Sequence, residues 1–128
     1  MWAYVLEIDP SLIDRIHRIA IEHGKESELS LRDAIRDEGC IPAICNGDFF
    51  EDPVERAAYY LHRISTRHPY VEGNKRTAYL TALLIVHKEL GARLIEDQAE
   101  NDQFIRKIAS GEVPQDDVIE WLKGRIVR

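Results

Sequence analysis

The chain has 128 residues, 45% of them hydrophobic, with 23 acidic side chains against 17 basic ones and a formal net charge of −6. That length suits a single domain spanning residues 1–128 around one packed core, and the acidic balance excludes a global positive field that would hold nucleic acid or anionic lipid. No apolar run approaches the roughly 20 residues that a bilayer requires, and Met1-Trp-Ala-Tyr-Val-Leu-Glu7 lacks a basic stretch followed by an apolar one. A soluble cytoplasmic protein, with no membrane partner and no direct nucleic-acid contact, is expected.

Helical spacing recurs along the chain and alternating strand patterns are nearly absent, which predicts an all-α bundle. Asp9-Pro10 offers a cap followed by proline at the first helical position, and Leu12, Ile13, Ile16, Ile19 and Ala20 form an apolar stripe that ends before Gly24. A shorter helix is predicted over Ser30 to Glu38, closed by Gly39. From Cys40 to Glu51, Pro42, Asn46, Gly47 and Asp48 predict a loop or short hairpin, in which Phe49-Phe50 reads as local packing ahead of a docking flap. Cys40 and Cys45 have no second pair of ligands at metal spacing, so they read as two partly buried thiols in a reducing compartment.

Asp52-Pro53 repeats the cap-plus-proline start, and Val54, Ala57, Ala58, Leu61 and Ile64 keep helical spacing to about Arg67, where Pro69 interrupts. From Asn74, read as a natural N-cap, a helix runs to Gly91; Ala78 to Val86 is apolar nearly all round, as in a buried helix. Asp97 with Glu100 forms a capping-box-like start to a helix carrying Phe104, Ile105 and Ile108. A last helix follows Pro114, with Val118, Ile119, Trp121 and Leu122 read as core.

The chemistry concentrates in His68-Pro-Tyr-Val-Glu-Gly-Asn-Lys-Arg-Thr77, at the entrance to the helix judged most buried. A helix N-terminus presents unpaired N–H groups and the positive end of the macrodipole, so Gly73 and its neighbours can approach phosphate oxygens closely. Lys75 and Arg76 add positive charge there, the arginine through a planar fork. A polyphosphate is the expected ligand. Such ligands arrive with a divalent cation held by one or two carboxylates, and Glu72 is the only carboxylate in the loop. Histidine is the side chain suited to taking a proton from an attacking hydroxyl, which makes His68 the candidate base.

This segment resembles the Fic/Doc signature His-Pro-Phe-x-Asp/Glu-Gly-Asn-Gly/Lys-Arg, with Tyr70 in the phenylalanine position. The resemblance implies a single-domain helical bundle in which a buried central helix follows the active-site loop. It also implies that His68 activates a target hydroxyl, Glu72 binds magnesium, and Gly73, Asn74 and Arg76 hold the phosphates of ATP or another nucleoside triphosphate, beside the charge that Lys75 adds at the same helix start. Lys75 stands where adenylylating members carry a second glycine, and Tyr79 where they carry a further arginine. Both features resemble the Doc (death-on-curing) toxins, which transfer the γ-phosphate rather than AMP to a Ser or Thr hydroxyl, with elongation factor Tu the implied target. No Ser or Thr has Glu four residues later, so the inhibitory Ser/Thr-x-x-x-Glu pattern is missing and an antitoxin acting in trans is implied.

Two other readings compete. Adenylyl transfer would use the same residues. An all-α ribonuclease with an Arg-x-x-x-x-His pattern is satisfied by Arg63 and His68, but also by Arg18 and His23, and the acidic chain lacks an RNA-binding footprint. His17, His23, His62 and His87 have no comparable neighbours and read as surface or helix-face residues.

Overall fold

The computed structural model describes residues 6–22, 39–45 and 50–128, and the helix expected over Ser30 to Glu38 lies outside them. Helix α1 spans Pro10–Glu22. Its start is fixed by the Asp9 carboxylate, which accepts from the Leu12 N–H at 2.8 Å, while Pro10 occupies a position whose N–H would be unpaired in any case. Ile13, Ile16, His17, Ala20 and Ile21 form its buried face.

The loop expected from Cys40 begins instead as a short helix, α2 (Cys40–Ile44). Cys40, Ile41 and Ile44 are buried, so the turn forms because it brings three apolar side chains onto the core, and Pro42 stands within the first turn, where no N–H donor is needed. Cys40 and Cys45 are not joined by a disulfide; Cys40 is buried and Cys45 half-buried. Phe50 packs on Tyr59 with ring centroids 5.3 Å apart; Phe49 is outside the described residues.

Helix α3 (Pro53–Arg67) starts at Asp52, whose carboxylate accepts from Glu55 N–H at 3.1 Å. Helix α4 (Asn74–Leu90) ends at Gly91, which takes the left-handed conformation and returns its N–H to the carbonyl of His87 at 3.1 Å. These two helices share the most extensive interface of the fold. Ala57 and Ala58 on α3 and Ala78 and Ala82 on α4 are all fully buried, and such small side chains let two helix axes approach closely. Helix α5 (Gln98–Ala109) begins with Asp97 accepting from Glu100 N–H at 3.1 Å, and α6 (Gln115–Arg125) follows Pro114.

The fold is all-α apart from one small antiparallel pair, β1 (Arg93–Leu94) against β2 (Ile126–Val127), which the sequence pattern does not announce because two residues cannot show an alternation. None of the described helices is long and apolar enough to cross a membrane.

Two expectations about burial need correction. Helix α4 is not enclosed on every side: Leu80, Leu83 and Leu84 are half-buried and, with Ile16 and Ile19 of α1, line a groove of about 590 Å³. Trp121 is at the edge of the core rather than inside it, stacked on Phe104 at 4.3 Å with Arg125 5.3 Å above its ring.

Candidate active site

The segment from His68 to Thr77 joins the C-terminus of α3 to the N-terminus of α4. His68 ends α3 with φ 49 and ψ 62, its N–H returning to the carbonyl of Ile64 at 3.3 Å. It is the one non-glycine residue with positive φ among the described residues. The left-handed region costs an L residue on the order of 1–2 kcal/mol, and a following proline normally favours extended backbone. Surrounding structure must therefore hold His68 in place. It does so on both sides, through Ile64 and Ser65 at the end of α3 and through Pro69 and Tyr70, all four buried. Strain retained in this way is concentrated at functional positions. The imidazole is half-buried at the mouth of the loop.

Asn74 does not cap the helix, contrary to the sequence-based expectation. Gly73, with φ 80, is the capping position, and Asn74 is the first helical residue. Its buried amide instead closes the loop on itself: Oδ1 accepts from Tyr70 N–H at 2.9 Å and Nδ2 donates to Tyr70 O at 2.9 Å. Two bonds to one backbone unit commit the side chain to loop shape, and the Asn74 N–H is left in the first turn of the helix. Gly73 has no side chain to cover the helix end, and its carbonyl accepts the first helical bond, from Thr77 N–H at 2.9 Å. The first turn of α4 thus keeps the donor arrangement that binds anions.

Glu72, Lys75 and Arg76 are exposed around this helix end. One Arg76 nitrogen, Nη1, donates to the carbonyl of Ala20 at 3.2 Å, which ties α4 to the end of α1; a guanidinium has five donors, so the fork is not exhausted by one bond. Tyr79 points elsewhere. Its hydroxyl accepts from Asn101 Nδ2 at 3.4 Å, and burial pushes its pKa above the usual tyrosine value, an effect partly offset by the nearby Arg125 guanidinium and reinforced by Glu96. None of the residues from His68 to Thr77 lines the 590 Å³ groove.

The site's foundation is a histidine that the sequence presents only as a surface or helix-face residue. His17 is fully buried, its Nε2 lies 2.8 Å from the carbonyl oxygen of Glu72, and its ring stacks on Tyr70 with centroids 3.5 Å apart and planes 4° from parallel. Tyr70 in turn donates its hydroxyl to Asp14. Asp14 and His17 lie three residues apart on α1, a spacing that places them on one face, and this was the only sequence signal available. Of the other histidines, His87 is exposed, His62 is half-buried with its basicity lowered by burial and then by Arg63, and His23 lies outside the described residues. Arg63 sits 5.6 Å over the ring of Tyr59 on the outer side of α3.

Gly73→Ala is expected to destabilise the fold by about 1–2 kcal/mol through its left-handed backbone, and the added Cβ would meet the His17 ring at 3.4 Å. Gly91→Ala meets nothing within 4 Å and serves as the comparison in urea denaturation. Equal stability of Gly73→Ala and the unmodified chain would contradict this geometry.

An all-α domain with a strained histidine at one helix end and a cation-flanked helix start beside it has the donors and the charge that an anionic ligand requires. The sequence model of the Fic/DOC family matches residues 7–86, and the chain belongs to that family. Members transfer nucleotide-derived groups to proteins. No curated protein matches the chain.

Proposed function

We propose that the chain is a Doc-like toxin of a toxin–antitoxin pair that transfers the γ-phosphate of ATP, or another nucleoside triphosphate, to a Ser or Thr hydroxyl of a host protein. Elongation factor Tu is the target that the resemblance suggests. The observation that carries the reading is the composition of the helix start. Lys75 is exposed at the first turn, and Tyr79, one turn on, is engaged with Asn101 rather than adding a second arginine.

In this mechanism His68 takes the proton of the target hydroxyl as that oxygen bonds to the γ-phosphorus, and the bond to the β,γ-bridging oxygen breaks to release the nucleoside diphosphate. The first-turn N–H groups with Lys75 and Arg76 hold the phosphates and absorb charge on their oxygens. Glu72 fits magnesium in the mode where one carboxylate suffices because phosphates and water complete the shell; among the described residues no cluster of three or more metal-binding side chains competes with it. Bound there, magnesium would neutralise phosphate charge. An antitoxin supplied in trans would restrain the activity, since the chain has no Ser/Thr-x-x-x-Glu pattern of its own.

The deciding experiment incubates the protein, magnesium and candidate target with α- or γ-labelled ATP. Label from the γ position alone is expected on the target. Label from the α position would replace phosphate transfer by AMP transfer through the same residues.

A further inference from the structure

Beneath the loop, two side chains of α1, Asp14 and His17, are linked through the loop's own Tyr70 in a row that the proposed chemistry does not use. His17 approaches the Glu72 carbonyl at 2.8 Å. A carbonyl oxygen only accepts, so Nε2 carries the proton and donates. The Glu72–Gly73 peptide is trans, like every described peptide bond, and in a planar trans unit the C=O and the N–H point in opposite directions. Drawing the Glu72 oxygen inward onto His17 therefore turns the Gly73 N–H outward, away from the buried ring. That N–H belongs to the capping residue of α4, where donors meet an anion.

The ring itself is immobilised. It lies flat on Tyr70, and the Tyr70 hydroxyl donates to Asp14 on the same helix, so the aromatic position of the loop is locked to α1 by stacking and by a hydrogen bond together. On the other side the ring lies against Gly73: a Cβ there would be in van der Waals contact, 3.4 Å from two His17 atoms. The arrangement joins residues 55 positions apart, which neither helix propensity nor core burial alone would require of a histidine.

We propose that His17 is a positioning residue for polyphosphate binding: held flat by Tyr70, which Asp14 anchors, it orients the Glu72–Gly73 peptide so that the Gly73 N–H faces the phosphate and the Glu72 carboxylate is held beside it. This rests on the phosphate-transfer reading of the same loop. It assigns to α1 a part in nucleotide affinity without contact to nucleotide, in the way that groups behind a ligand-binding shell tune it.

The test compares the full chain with His17→Phe, which keeps a ring against Tyr70 but cannot donate, and His17→Gln, which keeps a donor at similar reach but loses the ring. Binding of magnesium-ATP is followed by calorimetry, the Gly73 amide by NMR, and folding by thermal melts without nucleotide. His17→Phe is expected to bind roughly tenfold more weakly, with the nucleotide-induced shift of the Gly73 amide lost, while His17→Gln recovers most of the affinity. Wild-type affinity in a folded His17→Phe overturns the role of His17 and leaves the phosphate-transfer reading standing. If His17→Phe does not fold, His17→Gln decides: retained affinity supports the donor role and lost affinity overturns it. Failure of the unmodified chain to bind any nucleoside triphosphate overturns the underlying reading, and this inference with it.

Discussion

Replacing His68 by alanine is expected to lower group transfer by about 10²–10⁴-fold, the usual worth of a positioned general base, while leaving nucleotide affinity close to that of the unmodified chain. The separation follows from the layout. The imidazole stands at the end of α3, whereas the phosphate donors belong to the first turn of α4 and to Lys75 and Arg76. Single-turnover transfer measured beside calorimetric binding checks it, and unchanged transfer in His68→Ala would remove histidine from the mechanism. A companion variant, His68→Gly, deletes the same imidazole but accepts φ 49 without strain. It should be as inactive as His68→Ala and melt no lower, which separates the chemistry of this residue from its backbone.

The largest effect on stability is expected from Glu89→Ala. Arg56 and Glu89 form a buried ion pair whose side chains are 3% and 2% exposed. Arg56 also donates to the Phe50 carbonyl at 2.7 Å, and Glu89 accepts from Leu6 N–H at 3.2 Å. Together they pin the entry to α3, the end of α4 and the chain before α1 at one point. Truncating the carboxylate leaves a guanidinium without its counter-charge in a region closed to water, a loss of about 3–5 kcal/mol. The pair Arg106–Asp102 is the contrast, at 68% and 52% exposure; Asp102→Ala should lose no more than about 0.5 kcal/mol. Urea midpoints for the two variants measure the difference, and similar midpoints would show that burial of the Arg56 pair has no energetic consequence.

Much of the fold is legible residue by residue because its signals are local. Asp9, Asp52 and Asp97 cap the helices they precede, Gly91 ends α4 in the conformation that glycine allows, and the apolar spacing of α3 matches its buried face. The motif residues are likewise where the sequence places them, between two helices. Less legible was what each does. Asn74 has the chemistry of a cap, yet the preceding glycine takes that position and the amide turns back to Tyr70. Cys40 to Ile44 carries turn-forming neighbours, yet three buried side chains draw it into a helix.

By itself, the sequence determined the helix boundaries around the site to within one residue and the order of imidazole, carboxylate, glycine and cations, because capping and helical spacing act within four or five residues. Only the tertiary structure decided that His17 lies under the loop, that Tyr70 reaches Asp14, that Arg56 meets Glu89, and that Arg93–Leu94 pairs with Ile126–Val127. Those partners are 30 or more residues apart, and their pairing depends on how α1, α3, α4 and α6 pack. A buried histidine and a surface histidine look the same on a helix face until the neighbouring helix and loop are in place.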